Sequence, residues 1–381
     1  MKLILSILTF TVFFSACKEP YEPIVDKNDK NLLVVEGYIN TGGGQTSIRL
    51  SRTLDLKGGK TIQEEVGATL RIEGEDGSFI TAVTNNEGMA KFASSINNAQ
   101  RYKLLITTKS GRKYTTAFLE NKRTPEIEEI GYKPVGQGIQ LYVNTEDNSK
   151  NTRYYRWTFD ETWEIVSPFR SFLQYVGGKV ISRDMSINIT HCWQTSESQI
   201  LVGSSEKLSA DRINELPLVF INSGSIKLSK LYSIKVLQYG LTKEAYDYLS
   251  RVKKNTENIG SIFDPQPSEL TGNIKGVSDP SETVVGFMSC GSVKEKRIFI
   301  SPSEIFKINP EWFYRDHCLT ETVESPEGLL NSPMYKEYLI IDVIDLGPTT
   351  NPPPPTLYTI APKECIDCRF RGTNIKPSYW P

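Results

Sequence analysis

The run Ala68-Thr69-Leu70-Arg71-Ile72-Glu73 alternates apolar and polar residues and stops at Glu75-Asp76-Gly77, after which Phe79-Ile80-Thr81-Ala82-Val83 follows. Alternation sends successive side chains to opposite faces, which suits a half-buried strand. Asp-Gly supplies the positive φ that a tight hairpin turn requires. The same pattern recurs outward in both directions. Leu32 to Ile39 is β-rich, Gly42-Gly43-Gly44 marks a turn, and Thr46 to Leu50 alternates. Met89 to Phe92 follows Asn85-Asn86-Glu87-Gly88, and Tyr102 to Thr107 and Tyr114 to Leu119 flank Ser110-Gly111. About seven short strands with regular turn signals predict an immunoglobulin-like β-sandwich over residues 32–122. The three glycines are a turn and not a phosphate loop, because no Lys-Ser/Thr pair or helix follows them.

Thr124-Pro125 ends that unit, and residues 123–381 read as a larger β-rich domain. Strands are expected at Ile127 to Tyr132, Ile139 to Val143, Tyr154 to Phe159, Trp163 to Ile165, Leu218 to Ile221 and Leu231 to Val236. Later ones are expected at Val284 to Met288, Arg297 to Ile300 and Tyr338 to Ile344. One amphipathic helix stands out. Thr242 can cap it, Ala245, Tyr248, Leu249 and Val252 share a face, and Lys253-Lys254 suits the dipole at its end. It is expected to cover a sheet face. Pro348 to Pro355 holds four consecutive prolines, an extended segment read as a rigid surface loop.

Composition narrows the functional classes. In 381 residues, 44 Lys plus Arg balance 45 Asp plus Glu, which excludes the broad positive field of non-specific nucleic-acid binding. The chain has only two histidines, so a His cluster is nearly excluded. At 18 Tyr, 16 Phe and 5 Trp the chain is rich enough in aromatics to build folded cores.

The N-terminus carries an address. Met1-Lys2 precedes Leu3 to Phe14, a largely apolar stretch, and Ser15-Ala16-Cys17 follows before charge resumes. Twelve residues rise only about 18 Å as a helix, short of a hydrocarbon core of about 30 Å. Residues 1–16 therefore read as a signal peptide, and Ser15-Ala16-Cys17 resembles a bacterial lipobox with Cys17 as the lipidated residue. Two or more acyl chains anchor stably where one does not. Residues 17–31 read as the lipidated Cys and a charged, proline-containing tether, with the outer membrane as partner. Lys18-Glu19-Pro20-Tyr21-Glu22 resembles a surface-export signal, so the chain is expected to face the cell exterior, the inner leaflet being the alternative.

Five further cysteines are Cys192, Cys290, Cys318, Cys365 and Cys368. Outside the cytoplasm disulfides persist, and an odd number leaves at least one cysteine over. A disulfide from the C-x-x-C of Cys365 and Cys368 to Cys318 or Cys192 is expected to pin the C-terminal tail. The weaker alternative is a zinc site drawn from His191, Cys192, His317, Cys318, Cys365 and Cys368. Cys290 is expected to pack as a small buried hydrophobe. No G-x-S-x-G, H-E-x-x-H, P-loop or G-x-G-x-x-G occurs, so no catalytic residue and no cofactor is assigned. Carboxylate-only hydrolysis stays open, since it needs just two suitably placed acids.

The order Leu237-Gln238-Tyr239-Gly240-Leu241-Thr242, then Phe263-Asp264-Pro265-Gln266-Pro267, Gly272-Asn273-Ile274, Asp279-Pro280 and Val285-Gly286-Phe287, together with Cys192-Trp193, Cys365-x-Asp367-Cys368 and Lys376 to Trp380, resembles a Bacteroidetes lipoprotein family, domain of unknown function 4249. This chain departs from that pattern at Gly276 and at Arg371-Gly372. The resemblance implies a surface lipoprotein often encoded beside a TonB-dependent outer-membrane transporter, and it implies no catalytic residue. Phe263, Asp264 and Gln266 form a candidate interaction loop, or else they fix the path from helix to strand. Trp380 is expected to plug a core. The function expected is an accessory or ligand-capture partner of such a transporter. A free-standing adhesin or glycan- or protein-binding lipoprotein is the alternative, and a carboxylate-dependent hydrolase comes third.

Overall fold

The computed structural model describes residues 31–53, 62–93, 96–177, 179–257, 270, 272–324, 336–344 and 356–381. It is mainly β, organised around two large cores, with smaller clusters around a helix and in a terminal unit.

The first core lies between two sheets. One orders Ile62–Glu64, Thr46–Thr53, Leu33–Asn40, Cys290–Gly291 and Asn121–Lys122, with Met89–Phe92 and Val284–Val285 attached. The other orders Ile274–Gly276, Lys113–Thr116, Tyr102–Thr107, Thr69–Gly74 and Phe79–Val83. The 68–83 hairpin forms as the alternation requires, with Leu70 opposite Ala82 and Ile72 opposite Ile80. Leu33, Val35, Ile48 and Leu50 from one sheet meet Leu70, Ile72, Leu104 and Ile106 from the other. Two expectations are corrected here. The unit does not close within residues 32–122, because Ile274, Val284, Met288 and Cys290 return from far down the chain to complete its core. The returning strands also pair in parallel, Val284–Val285 and Cys290–Gly291 on Leu33–Asn40, and Cys290–Gly291 on Asn121–Lys122. An immunoglobulin-like sandwich is built from two antiparallel sheets with Greek-key connections, so these parallel pairs lie outside that pattern. Cys290 is buried and unpaired, as its surroundings of Ile and Met would suggest.

The second core lies between a three-stranded sheet, ordered Ile127–Pro134, Gly138–Glu146 and Arg212–Asn222, and a five-stranded one. The latter orders His191–Glu197, Tyr154–Val166, Tyr232–Leu241 and Val293–Ile300, with Leu201–Ser204 on Tyr154–Val166. The two strands expected at 154–159 and 163–165 are one strand of 13 residues. Its inward set is Tyr155, Trp157, Phe159, Trp163 and Ile165. Buried polar groups tie the two sheets together: Trp157 Nε1 donates to Gln238 Oε1 at 2.7 Å, and Gln238 Nε2 donates to Pro125 O and Thr145 Oγ1 at 2.9 Å each.

The helix Lys243–Glu257 wedges between these two units. Thr242 Oγ1 accepts from the Ala245 amide at 3.3 Å, as an N-cap does. Ala245 and Leu249 pack with Tyr38, Leu241, Tyr239 and Phe287. Tyr38 of the first unit donates to Gly240 O of the second at 3.0 Å, and the Gly286 amide donates to Tyr248 Oη at 2.9 Å. A second helix, Pro302–Ile308, was not expected, although Ser301-Pro302-Ser303-Glu304 is a capping box with proline in the first turn.

The terminal unit joins the hairpin Leu173–Val176/Lys179–Ser182 to a sheet ordered Glu321–Val323, Leu357–Pro362 and Tyr338–Ile344. Its cores are small: Ile189, Ala361, Cys365 and Ile366 form one cluster, and Val323, Ile340 and Ile360 another.

Candidate functional site

Cysteine pairing builds the terminal unit. Cys192 on the five-stranded sheet bonds to Cys368, and Cys318 bonds to Cys365, with Cα atoms 5.7 and 5.8 Å apart. The C-x-x-C is thus divided between two partners, and both expected anchors, Cys192 and Cys318, are used. The zinc alternative does not hold. All four sulfurs are spent in disulfides, so no thiolate ligand is left, and the described residues contain no group of three or more candidate ligands. His191 instead stacks on Trp193, with ring centroids 5.3 Å apart, and contacts the Glu164 carboxylate through Nε2. His317 is exposed beside Cys318. The tail docks back on the sheet: Trp193 and Thr373 exchange backbone bonds of 2.8 and 2.9 Å, and Trp380 packs edge-on against Trp193 and Phe299. Trp380 is a buried plug, while Tyr379 stays exposed beneath the Arg297 guanidinium. Cys17, the signal peptide and the tether up to residue 30, the loop of Phe263, Asp264 and Gln266, and the prolines at 348–355 lie outside the described residues.

The surface itself supplies a site that the sequence did not reveal. Leu173, Tyr175 and Val180 of the hairpin turn onto the terminal sheet. Strand alternation then leaves Val176 and Ile181 in solvent, and the flanking Phe172, Met185 and Ile187 are exposed as well. Five exposed large apolar side chains within sixteen residues exceed the scattered single ones of an ordinary surface. The signal had been present in the sequence as apolar residues between polar ones, but only the pairing of Leu173 with Ser182 shows which side faces out.

Among the described residues, three further grooves have polar or mixed linings. The largest, about 930 Å³, runs along the seam between the first two units past Thr41, Asn97, Asn121, Arg123 and Lys294. Its polar groups largely satisfy one another: Asn121 Nδ2 donates to Asn98 O and Gln100 O, and Lys122 pairs with Glu120 and Lys294 with Glu126. A carboxylate poised for acid catalysis would have its pKa raised. The carboxylates displaced from their ordinary range here move down, among them Asp147, Asp184, Asp279 and Glu304. At Asp147 burial works against the charge, but hydrogen bonds from the Ser149 hydroxyl and the Thr152, Ser149 and Asn151 amides outweigh it.

This architecture defines a mainly β protein of several sheets with a disulfide-stapled terminal unit. The chain belongs to the family described as domain of unknown function 4249, whose profile matches residues 18–297. No curated protein matches it. Among solved structures, a mutant of Salmonella alpha-2-macroglobulin shares 7% identity and a TM-score of 0.18, covering 79% of this chain and 16% of its own. The collagen adhesin of S. aureus shares 10% identity and a TM-score of 0.09, covering 74% of this chain and 99% of its own. The chain spans only 16% of the macroglobulin's length. No described helix is long and apolar enough to cross a membrane.

Proposed function

We propose that this protein is an outer-membrane lipoprotein, held through Cys17 and facing the cell exterior, that serves as an accessory or ligand-capture partner of a TonB-dependent transporter. The N-terminal Ser15-Ala16-Cys17 and the charged tether after it support the anchor. The observation that carries the partner role is the exposed apolar set Phe172, Val176, Ile181, Met185 and Ile187 on a scaffold pinned by two disulfides. Such sets on a rigid support mark protein interaction sites more often than open surface. The satisfied polar seam offers less.

The test is co-purification of tagged mature protein from detergent-extracted native outer membrane, beside a variant carrying Ile181→Asp and Met185→Asp. A TonB-dependent transporter recovered in stoichiometric amount with the wild type, and reduced roughly tenfold or more with the variant, supports the reading, since a carboxylate buried in an apolar contact is costly. Recovery of the lipoprotein alone, in detergent mild enough to preserve other outer-membrane complexes, sinks it in favour of a free-standing surface-binding protein.

A further inference from the structure

A cleft of about 320 Å³ opens between the hairpin and the strand Tyr338–Ile344, and the turn Asp367–Phe370 forms part of its wall. It differs in kind from the polar grooves. Tyr175, Val176, Leu339, Ile340 and Phe370 give it an apolar and aromatic lining, into which a few charged groups converge. That composition, at the lower end of the roughly 300–1,000 Å³ range, is typical of small-molecule sites.

Charge accounting gives the ligand class. The buried Asp367 carboxylate is already matched: Arg369 grips it with Nε at 2.9 Å and Nη2 at 2.7 Å, and the Arg369 amide adds a third bond at 3.0 Å. Arg183 has no such partner. Its Nη2 donates to Leu173 O at 3.1 Å, its Nε is enclosed without an acceptor, and it forms no ion pair among the described residues. Among the described residues lining the cleft, Asp367, Arg369 and Arg183 are the only charged ones, so this lining carries a net charge of one positive unit. Guanidinium groups bind carboxylates through paired, charge-assisted bonds. Cys368 sits between Asp367 and Arg369 and is tied to Cys192, so the turn that carries both is pre-organised.

We infer that this cleft binds a small organic anion, its carboxylate seated against Arg183 and its apolar or aromatic body lying along Leu339 and Phe370. The inference is tested on the isolated chain and does not depend on the transporter reading, although Val176 belongs to both surfaces.

The experiment is calorimetric titration of the oxidised mature chain with octanoate and 3-phenylpropionate, with octanamide and 3-phenylpropionamide as neutral matches. The acids are expected to bind with sub-millimolar dissociation constants, roughly what about ten heavy atoms deliver. The amides should bind about tenfold more weakly or worse. Arg183→Gln should erase the preference for acid over amide while leaving amide binding unchanged. If that variant does not fold, the acid–amide comparison on the unmodified chain decides alone. Equal binding of acid and amide, no binding of either, or a preference that survives in a folded Arg183→Gln overturns the inference.

Discussion

The first unit and the terminal unit reach stability by different routes. The first buries a continuous core of nineteen residues and contains no disulfide. The terminal unit has two clusters of four and three buried residues, and both disulfides of the described chain end in it. A small core cannot offset the conformational entropy of its chain, and cross-links compensate by restricting the unfolded state. The difference teaches that the C-x-x-C serves as a structural clamp here, dividing its two sulfurs between a neighbouring sheet and a local loop.

The largest expected effect is on that clamp. Reduction, or replacement of Cys192, Cys318, Cys365 and Cys368 by Ala, should cost the terminal unit about 2–4 kcal/mol per disulfide and bring its amides close to unfolded hydrogen-exchange rates. The first unit should keep its protection. Equal loss in both would mean that they form one cooperative body, and the contrast would fail.

Next comes Met288→Ala, in the segment that returns to the first core. It should destabilise that unit by about 2–5 kcal/mol, the usual loss for truncating a buried Met. The Cys290 thiol offers the readout. Burial pushes it up to about 12, so at neutral pH it is a protonated, enclosed thiol that labels slowly. Labelling should accelerate in Met288→Ala. Unchanged labelling together with unchanged stability would remove residues 274–291 from the first unit.

Tyr38→Phe sharpens the boundary between the first and second units. It deletes the donor to Gly240 O across the seam and should cost about 1–3 kcal/mol by leaving a buried carbonyl unpaired. Denaturant melts that show no change would mean that the helix and its apolar contacts alone hold the seam.

The smallest effect is one that should not distinguish the regions. Asp279 beside the first core and Asp184 in the terminal unit each accept from a serine two residues on, Ser281 and Ser186, which holds both carboxyls below their ordinary value. A native pKa below the unfolded one means that this contribution is complete above roughly pH 4 and is lost as pH falls through the native value. The Ser281 and Ser186 amide resonances should therefore titrate with midpoints below about 3.9. A midpoint above that value at either position would contradict the turn geometry.

Local pattern was legible and long-range pairing was not. The 68–83 hairpin, the Thr242-capped helix and the inward set of the strand at 154 could all be read from spacing. The return of 274–291 could not. Its strands Val284–Val285 and Cys290–Gly291 are two residues long, too short to show a period, and their partners lie at the other end of the chain. The cysteines announced disulfides but not their connectivity, which spacing alone cannot supply. The cleft was invisible for the same reason. Arg183, Leu339 and Phe370 meet only because the hairpin, the strand and the stapled turn converge. The capping box Ser301-Pro302-Ser303-Glu304 is a sequence signal for the start of the second helix.

The order of synthesis bears on the first unit's completion. Leu33 pairs with Val284, so about 250 further residues must be made after the first strand before its neighbour exists. At about 5–20 residues per second that takes some 10–50 s. Throughout that interval one flank of Leu33–Asn40 has no strand to pair with, and the apolar face that Met288 and Ile274 will cover is open. Unpaired edges and open apolar faces are what intermolecular aggregation uses. That open flank is a route to aggregation that the local hairpins alone would not present.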